Sequence, residues 1–465
     1  MRTSQVDYHK KHQKKKTKKH LKAKKQNKSR GNELIVLMLK TIQHFFPDLF
    51  DRMQQVKECR KRSDYQLAEL ITAGIVMFLL KEGSRNAFNN DKQEEHFKAN
   101  YQELFHVRLP HMDTVDAVMR KLEEEELINL KTSMIRSLLE KKTLHKYRFL
   151  DHWFQVAVDG TGVMSFSERH CPHCLTKTSK KGKTTYFHNV LEAKLICSNG
   201  FSLSLANEWI ENPDGDFTKQ DCEMKAFVRL AEQLKTLYPR LPIVILADGL
   251  YPNITFFTVC RSNTWSYIVT FKDGNLPTIW EEVFHLKQIT FNNEATRLHI
   301  KQGKRVHEEY CWINDIDYRD HPLHWIECIE TVTSKKDAIQ KTTRFVHVTD
   351  IKILESNACF ISHAGRLRSK IENEGFNTQK NLGYNLQHKY SRVSFLASKN
   401  YYQCLQIAHI INQLLELSIA CKKLMVGKMT LKHLWKSMIG FLTYHVVNAI
   451  EIKMLSQLRT QFRYE

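Results

Sequence analysis

Apolar positions recur every third or fourth residue through the first third of the chain. They then alternate, or run unbroken, through the middle, and the helical period returns near the end. Glu33-Leu-Ile-Val-Leu-Met-Leu-Lys40 and Leu67-Ala-Glu-Leu-Ile-Thr-Ala-Gly-Ile-Val-Met-Phe-Leu-Leu80 carry the helical period. Leu109-Pro-His-Met-Asp113-Thr-Val-Asp-Ala-Val-Met-Arg-Lys-Leu122 adds a capping residue before an amphipathic run. Such a helix either enters a DNA groove or packs in a bundle. Residues 32–150 are therefore expected to be helical.

From residue 154 the pattern becomes that of strands. Phe154–Val158 is the first. Val190–Cys197, the turn signal Asn199-Gly200 and Phe201–Glu208 read as a hairpin. Asp221–Lys235 reads as a helix, Leu241–Ala247 as a strand followed by a short helix, and Trp265–Phe271 as another strand. This order gives a mixed sheet with helical crossovers, an α/β fold. Thr290–Ile300, Arg305–Ile313, His324–Thr333 and Thr343–Thr349 read as successive strands of a β-rich insertion. Helical periodicity returns near residue 360.

Composition adds a partner class. The 465 residues hold 71 Lys+Arg against 50 Asp+Glu, a net charge of +21. A pI near 9.4 on a chain of this size favours a polyanion such as nucleic acid. Residues 1–31 concentrate the charge, with Lys14, Lys15, Lys16, Lys18 and Lys19 at their centre. Like charges this dense bury no core, so a disordered basic tail is expected, either tethering DNA or keeping the chain soluble. No apolar run reaches membrane-spanning length, and the start lacks a secretory apolar stretch. The 11 cysteines are scattered and odd in number, as in a reduced, cytoplasmic protein.

Two phrases carry the chemistry. Val-Ala-Val-Asp159-Gly-Thr and Ile-Leu-Ala-Asp248-Gly-Leu-Tyr each end an apolar run on an aspartate. A strand buried on both faces reads as such a run, and its carboxyl end is where open α/β sheets place their sites. With a third carboxylate in Arg368-Ser-Lys-Ile-Glu372-Asn-Glu-Gly-Phe, the set suits metal-dependent phosphoryl chemistry on a polyanion. Arg368 and Glu372 are four apart and share a helix face, so Arg368 either reaches a phosphate or pairs with Glu372. Glu374 competes for the third place, but residues two apart on a helix point about 200° apart. Asn377, Lys380 and Lys389 lie in a polar stretch suited to gripping DNA. His170-Cys171-Pro-His173-Cys174 supplies half of a zinc site. A second pair is missing, and Cys197, Cys222, Cys260 or His188 would have to converge on it, so structural zinc is not expected.

With these motifs the chain resembles the cut-and-paste DDE transposases of bacterial insertion sequences, over roughly residues 35–430. Asp159-Gly-Thr resembles the first aspartate motif, Asp248-Gly-Leu-Tyr the second, and the stretch from Arg368 through Glu372 to Asn377 and Lys380 the glutamate motif. The spacings of 89 and 124 residues suit the branch with a β-insertion before the glutamate. Of the related signature Tyr-x2-Arg-x3-Glu-x6-Lys, Arg368 and Glu372 are kept, Gly365 stands at the Tyr and Gln379 at the Lys, with Lys380 one place on. The resemblance implies a ribonuclease-H-like catalytic core over 151–274 and 356–400, a β-rich insertion over 275–355, and flanking helical regions over 32–150 (DNA-binding) and 401–465. It implies catalysis by Asp159, Asp248 and Glu372 holding two Mg2+ or Mn2+ ions, with DNA contacts from Arg368, Asn377, Lys380 and the basic tail. It further implies a homodimer acting on the terminal inverted repeats of a mobile element and on target DNA, in a nucleoid-associated cytoplasmic setting. A ribonuclease-H-like nuclease without strand transfer, or a non-catalytic transposase-derived DNA-binding protein, would share part of this pattern.

Overall fold

A computed structural model describes residues 30–213, 218–290, 292–333, 340–448, 460 and 462–464. The lysines of the basic tail, Lys14 to Lys19, lie outside the described residues. The chain divides into two compact units, one of residues 138–378 and one built from both flanks. No helix among the described residues is long and apolar enough to cross a membrane.

The central unit holds a ten-stranded mixed sheet. In chain order its strands are β1 (Phe154–Phe166), β2 (Leu175–Thr178), β3 (Thr184–Ile196), β4 (Ser202–Ile210), β5 (Ile243–Ala247), β6 (Ser266–Thr270), β7 (Glu294–Lys301), β8 (Lys304–Tyr318), β9 (His321–Thr333) and β10 (Gln340–Thr349). Their spatial order is β2-β3-β1-β5-β6-β10-β9-β8-β7, with β4 also beside β3. β1, β5 and β6 run parallel, and β3 and β4 antiparallel to their neighbours. The parallel strand β5 is buried at all five positions, which is why its sequence is an unbroken apolar run. The Glu223–Leu237 crossover helix packs on β3 and β4 through Ala226, Phe227, Leu230, Ala231 and Leu234, a stripe at three- and four-residue spacing.

The segment 275–355 is not a separate β-rich body. It opens with a helix, Pro277–Ile289, and its four strands continue the main sheet, because His347–Thr349 of β10 pair antiparallel with Ile268–Thr270 of β6. The exposed edge of β6 would otherwise present unpaired backbone groups, and β10 satisfies them. The helical regions before and after the sheet are also not two separate parts. The Leu67–Leu79 helix is buried at every position, and the Phe395–Glu416 and Met112–Met119 helices pack on it. Buried amides of the Phe395–Glu416 helix join the two flanks: Asn400 Nδ2 donates to Met119 O and Leu122 O, and Asn412 Nδ2 to Leu79 O. These are carbonyls at helix ends, which lack partners within their own helix. The Met112–Met119 helix buries Met112, Val115, Asp116, Val118 and Met119, so most of it serves packing.

Candidate active site

Asp159 does not end its strand. β1 runs on to Phe166, paired with β3 along one edge, where Asp159 faces Glu192. On the other edge only Phe154–Ala157 have partners, in Ile243–Leu246 of β5. Ala157 and Leu246 are Cα partners, and an aspartate lies two residues beyond each. Since side chains alternate along strands, Asp159 and Asp248 leave the rim of the parallel pair level and on one side. Asp248 Oδ1 accepts a 2.8 Å bond from Leu250 N, and its Oδ2 lies 3.9 Å from Lys272 Nζ.

The third carboxylate arrives from the segment after the Glu355–Leu367 helix. Residues Ile371–Asn377 wind as a π-helix and bury Ile371, Gly375 and Phe376. Gly375 sits close to Ser202 and to the stem of the fully buried Lys194, which seats the segment against the sheet. Arg368 then bridges two acids: Nη1 is 3.3 Å from Asp159 Oδ2, and Nη2 is 3.1 Å from Glu372 Oε1. Glu374 pairs instead with Lys370 at 2.6 Å and lines a different cavity, beside Lys146 and Arg148.

A fourth carboxylate, Glu223, was absent from the sequence reading. It begins the crossover helix, and Tyr251 Oη donates to its Oε1 at 2.7 Å. A Cβ at Gly160 would lie 3.1 Å from Glu223 Oε2, so the glycine after Asp159 leaves room for this carboxylate. A good helix-start acid looks the same in sequence whether it caps a dipole or faces a site.

The cluster carries more negative charge than Arg368 neutralises. Burial raises the Asp159 carboxyl to about 7; Glu372 and Glu223 push the same way, and Arg368 opposes them. Burial also raises Glu223, with Asp248 adding to the rise and the Tyr251 hydrogen bond and Arg368 opposing it. Carboxylates offer the hard oxygens that divalent cations such as Mg2+ take, but these are not gathered into one close set of donor atoms. The close set of candidate metal ligands found among the described residues is instead a histidine–cysteine one that includes His170, Cys171 and His188. Beside Arg368 lies a groove of about 410 Å³ whose lining includes Lys272, Arg344 and Arg366. Arg344 pairs with Asp273 at 2.9 Å and Arg366 with Glu330 at 2.7 Å, so this wall is basic but partly neutralised.

The remaining candidates separate. Asn377 is exposed at the end of the π-helical stretch, and Lys380 is half-buried in the helical unit. Gln379, at the signature's Lys position, is buried and donates to Gln406 Oε1 at 2.8 Å, with His409 Nδ1 at 3.2 Å. It is a core amide. Gly365, at the signature's Tyr position, packs on His347, whose ring atoms would lie 2.5 Å from an added Cβ. The premise that nothing converges on the Cys171–Cys174 pair fails, since His188 Nε2 lies 3.4 Å from Cys171 Sγ and 3.2 Å from Cys174 Sγ.

No protein-family profile matches this sequence, and no curated protein aligns with it significantly.

Proposed function

We propose that this chain is a DNA transposase of the DDE type, cleaving the ends of a mobile element and joining them to target DNA. The observation that supports the reading is that Arg368 links Asp159 and Glu372, while Asp248 follows the strand paired with that of Asp159. The mixed sheet with helical crossovers supports a ribonuclease-H-like core.

Asp159, Asp248 and Glu372 would together hold the Mg2+ or Mn2+ ions, two in number. Bound there, the ions would stabilise the attacking and leaving oxygens of an in-line displacement at phosphorus. The nucleophile is water for cleavage and a DNA 3′-hydroxyl for joining. Arg368 holds Asp159 and Glu372 in fixed relation and presents a cation to the scissile phosphate. Lys272, close to Asp248, and the basic groove wall seat the flanking backbone, as does the lysine-rich tail. Two DNA ends joined at one target imply a homodimer on DNA.

The test uses the full chain and a duplex carrying the DNA that flanks its coding sequence on both sides, incubated with Mg2+. Cuts at inverted repeats and joined products are expected. Ala at Asp159, Asp248 or Glu372 should abolish both while leaving duplex binding within a few fold. Cuts without joining would reduce the protein to a nuclease. Full activity of the Asp159→Ala protein would overturn the reading altogether.

A further inference from the structure

Away from the carboxylates, four soft-metal ligands meet where β1 hands over to β2. His170, Cys171 and Cys174 lie in the connection between these strands, and His188 stands on β3 opposite Met164. Cys171 Sγ and Cys174 Sγ are 3.7 Å apart, and His188 Nε2 is 3.4 and 3.2 Å from them. Donor atoms of His170, Cys171 and His188 all fall within 4.8 Å of one another.

The three separations among Cys171, Cys174 and His188 match edges of a coordination tetrahedron, and His170 stands where a small ring movement would bring the fourth donor in. With Zn–S of about 2.3 Å and Zn–N of about 2.0–2.1 Å, a tetrahedral ion separates two sulfurs by about 3.8 Å and a sulfur from a nitrogen by about 3.5 Å. A disulfide would need sulfurs about 2.05 Å apart, so the pair is spaced for a shared ion and not for a bond.

The surroundings are built for the same purpose. Cys174 N donates to Cys171 O at 3.4 Å, closing the turn between the two cysteines. Asn212 fixes that turn from β4's far end: its N donates to His173 O at 3.1 Å and its Nδ2 to Cys174 O at 2.8 Å. The last residue of β1, Phe166, stacks on His170 with ring centroids 4.3 Å apart. Cys174 and His188 are fully buried. Two thiolates and two neutral imidazoles around a dication sum to zero charge, which suits burial.

We infer that His170, Cys171, Cys174 and His188 bind one structural Zn2+, which pins the β1–β2 connection to β3. Binding takes a proton from each thiol, and both protons go to solvent. The closed four-ligand set leaves no open position, so the ion organises the strand that carries Asp159 and takes no part in bond breaking.

The test is metal analysis of the untagged full chain, purified without chelator. About one zinc per chain is expected, with two fewer titratable thiols until a chelator is added. Cobalt replacement should give the visible bands of a tetrahedral cobalt thiolate. Cys174→Ser and His188→Gln should lose the zinc, while Asp159→Ala should keep it, which separates this site from the carboxylate cluster. If the variants are insoluble, the zinc content and cobalt spectrum of the unaltered chain still decide. Substoichiometric zinc with free thiols, a Cys171–Cys174 disulfide, or zinc retained in Cys174→Ser would overturn the assignment.

Discussion

Arg368 Nη1 stands 3.3 Å from Asp159 Oδ2, yet this one cation leaves the Asp159 carboxyl raised to about 7. The guanidinium's other arm is committed to Glu372. Arg368→Ala should therefore cost activity on the order of 10²-fold, the scale of losing one preorganised charge partner. Arg368→Lys should recover little, because a point charge cannot span two carboxylates as a planar fork does. DNA cleavage rates at saturating Mg2+ check this.

The Asp159 shift also makes a pH prediction. Its folded pKa lies above the usual carboxyl value of 3.8, so between those limits the folded chain binds more protons than the unfolded one. Without divalent cations, stability should fall as pH rises from about 4 to about 7, and the cost should be complete above that. Asp159→Asn removes the cost. Its melting temperature should exceed the parent's at pH 8, by about 2–4 °C per kcal/mol relieved, and not at pH 4. Mg2+ should raise the parent's melting temperature and not the variant's. Calorimetry at the two pH values is decisive.

Glu223→Gln keeps an acceptor for Tyr251 and removes a charge from the cluster. It should raise the Mg2+ concentration needed for half-maximal cleavage by about tenfold, with little change in stability. Glu223→Ala should in addition destabilise by about 1–3 kcal/mol, since the Tyr251 hydroxyl loses its acceptor. Mg2+ titrations and urea unfolding separate the two effects.

Restoring the signature should harm the protein. Gly365→Tyr drives a side chain into His347 and should destabilise by at least about 1–3 kcal/mol. Gln379→Lys places an unpaired charge among Gln406 and His409 and should cost about as much or more. Urea midpoints measure both.

Deleting residues 1–29 should weaken binding to every duplex alike and flatten its salt dependence, because lysines act by releasing counterions from the phosphate backbone. Loss of preference for element ends with an unchanged salt slope would show that the tail reads sequence.

Asp248 follows the end of a strand buried on both faces, which has no polar residue until it leaves the sheet, whereas Asp159 lies within β1, beyond the part that pairs with β5. Glu372 and Arg368 were legible through their four-residue spacing, although the helix there is π-wound. Glu223 was not, since its approach depends on the missing side chain of Gly160. The pairing of β10 with β6 was not, because apolar alternation says which face of a strand is buried and nothing about which edge meets which. His188 stood among several candidates, and the sequence could not single it out, because its partners come from a loop and are set by the register of β1 on β3.

Because the edge of β6 is sealed by β10, the segment from Pro277 to Thr349 is not a dispensable module. Excising it would bare the Ile268–Thr270 backbone of a mostly buried strand, and such an edge templates pairing with another chain. A minimal core cut at these boundaries is expected to self-associate into aggregates, and amide hydrogen exchange along β6 should protect only as long as β10 stays docked.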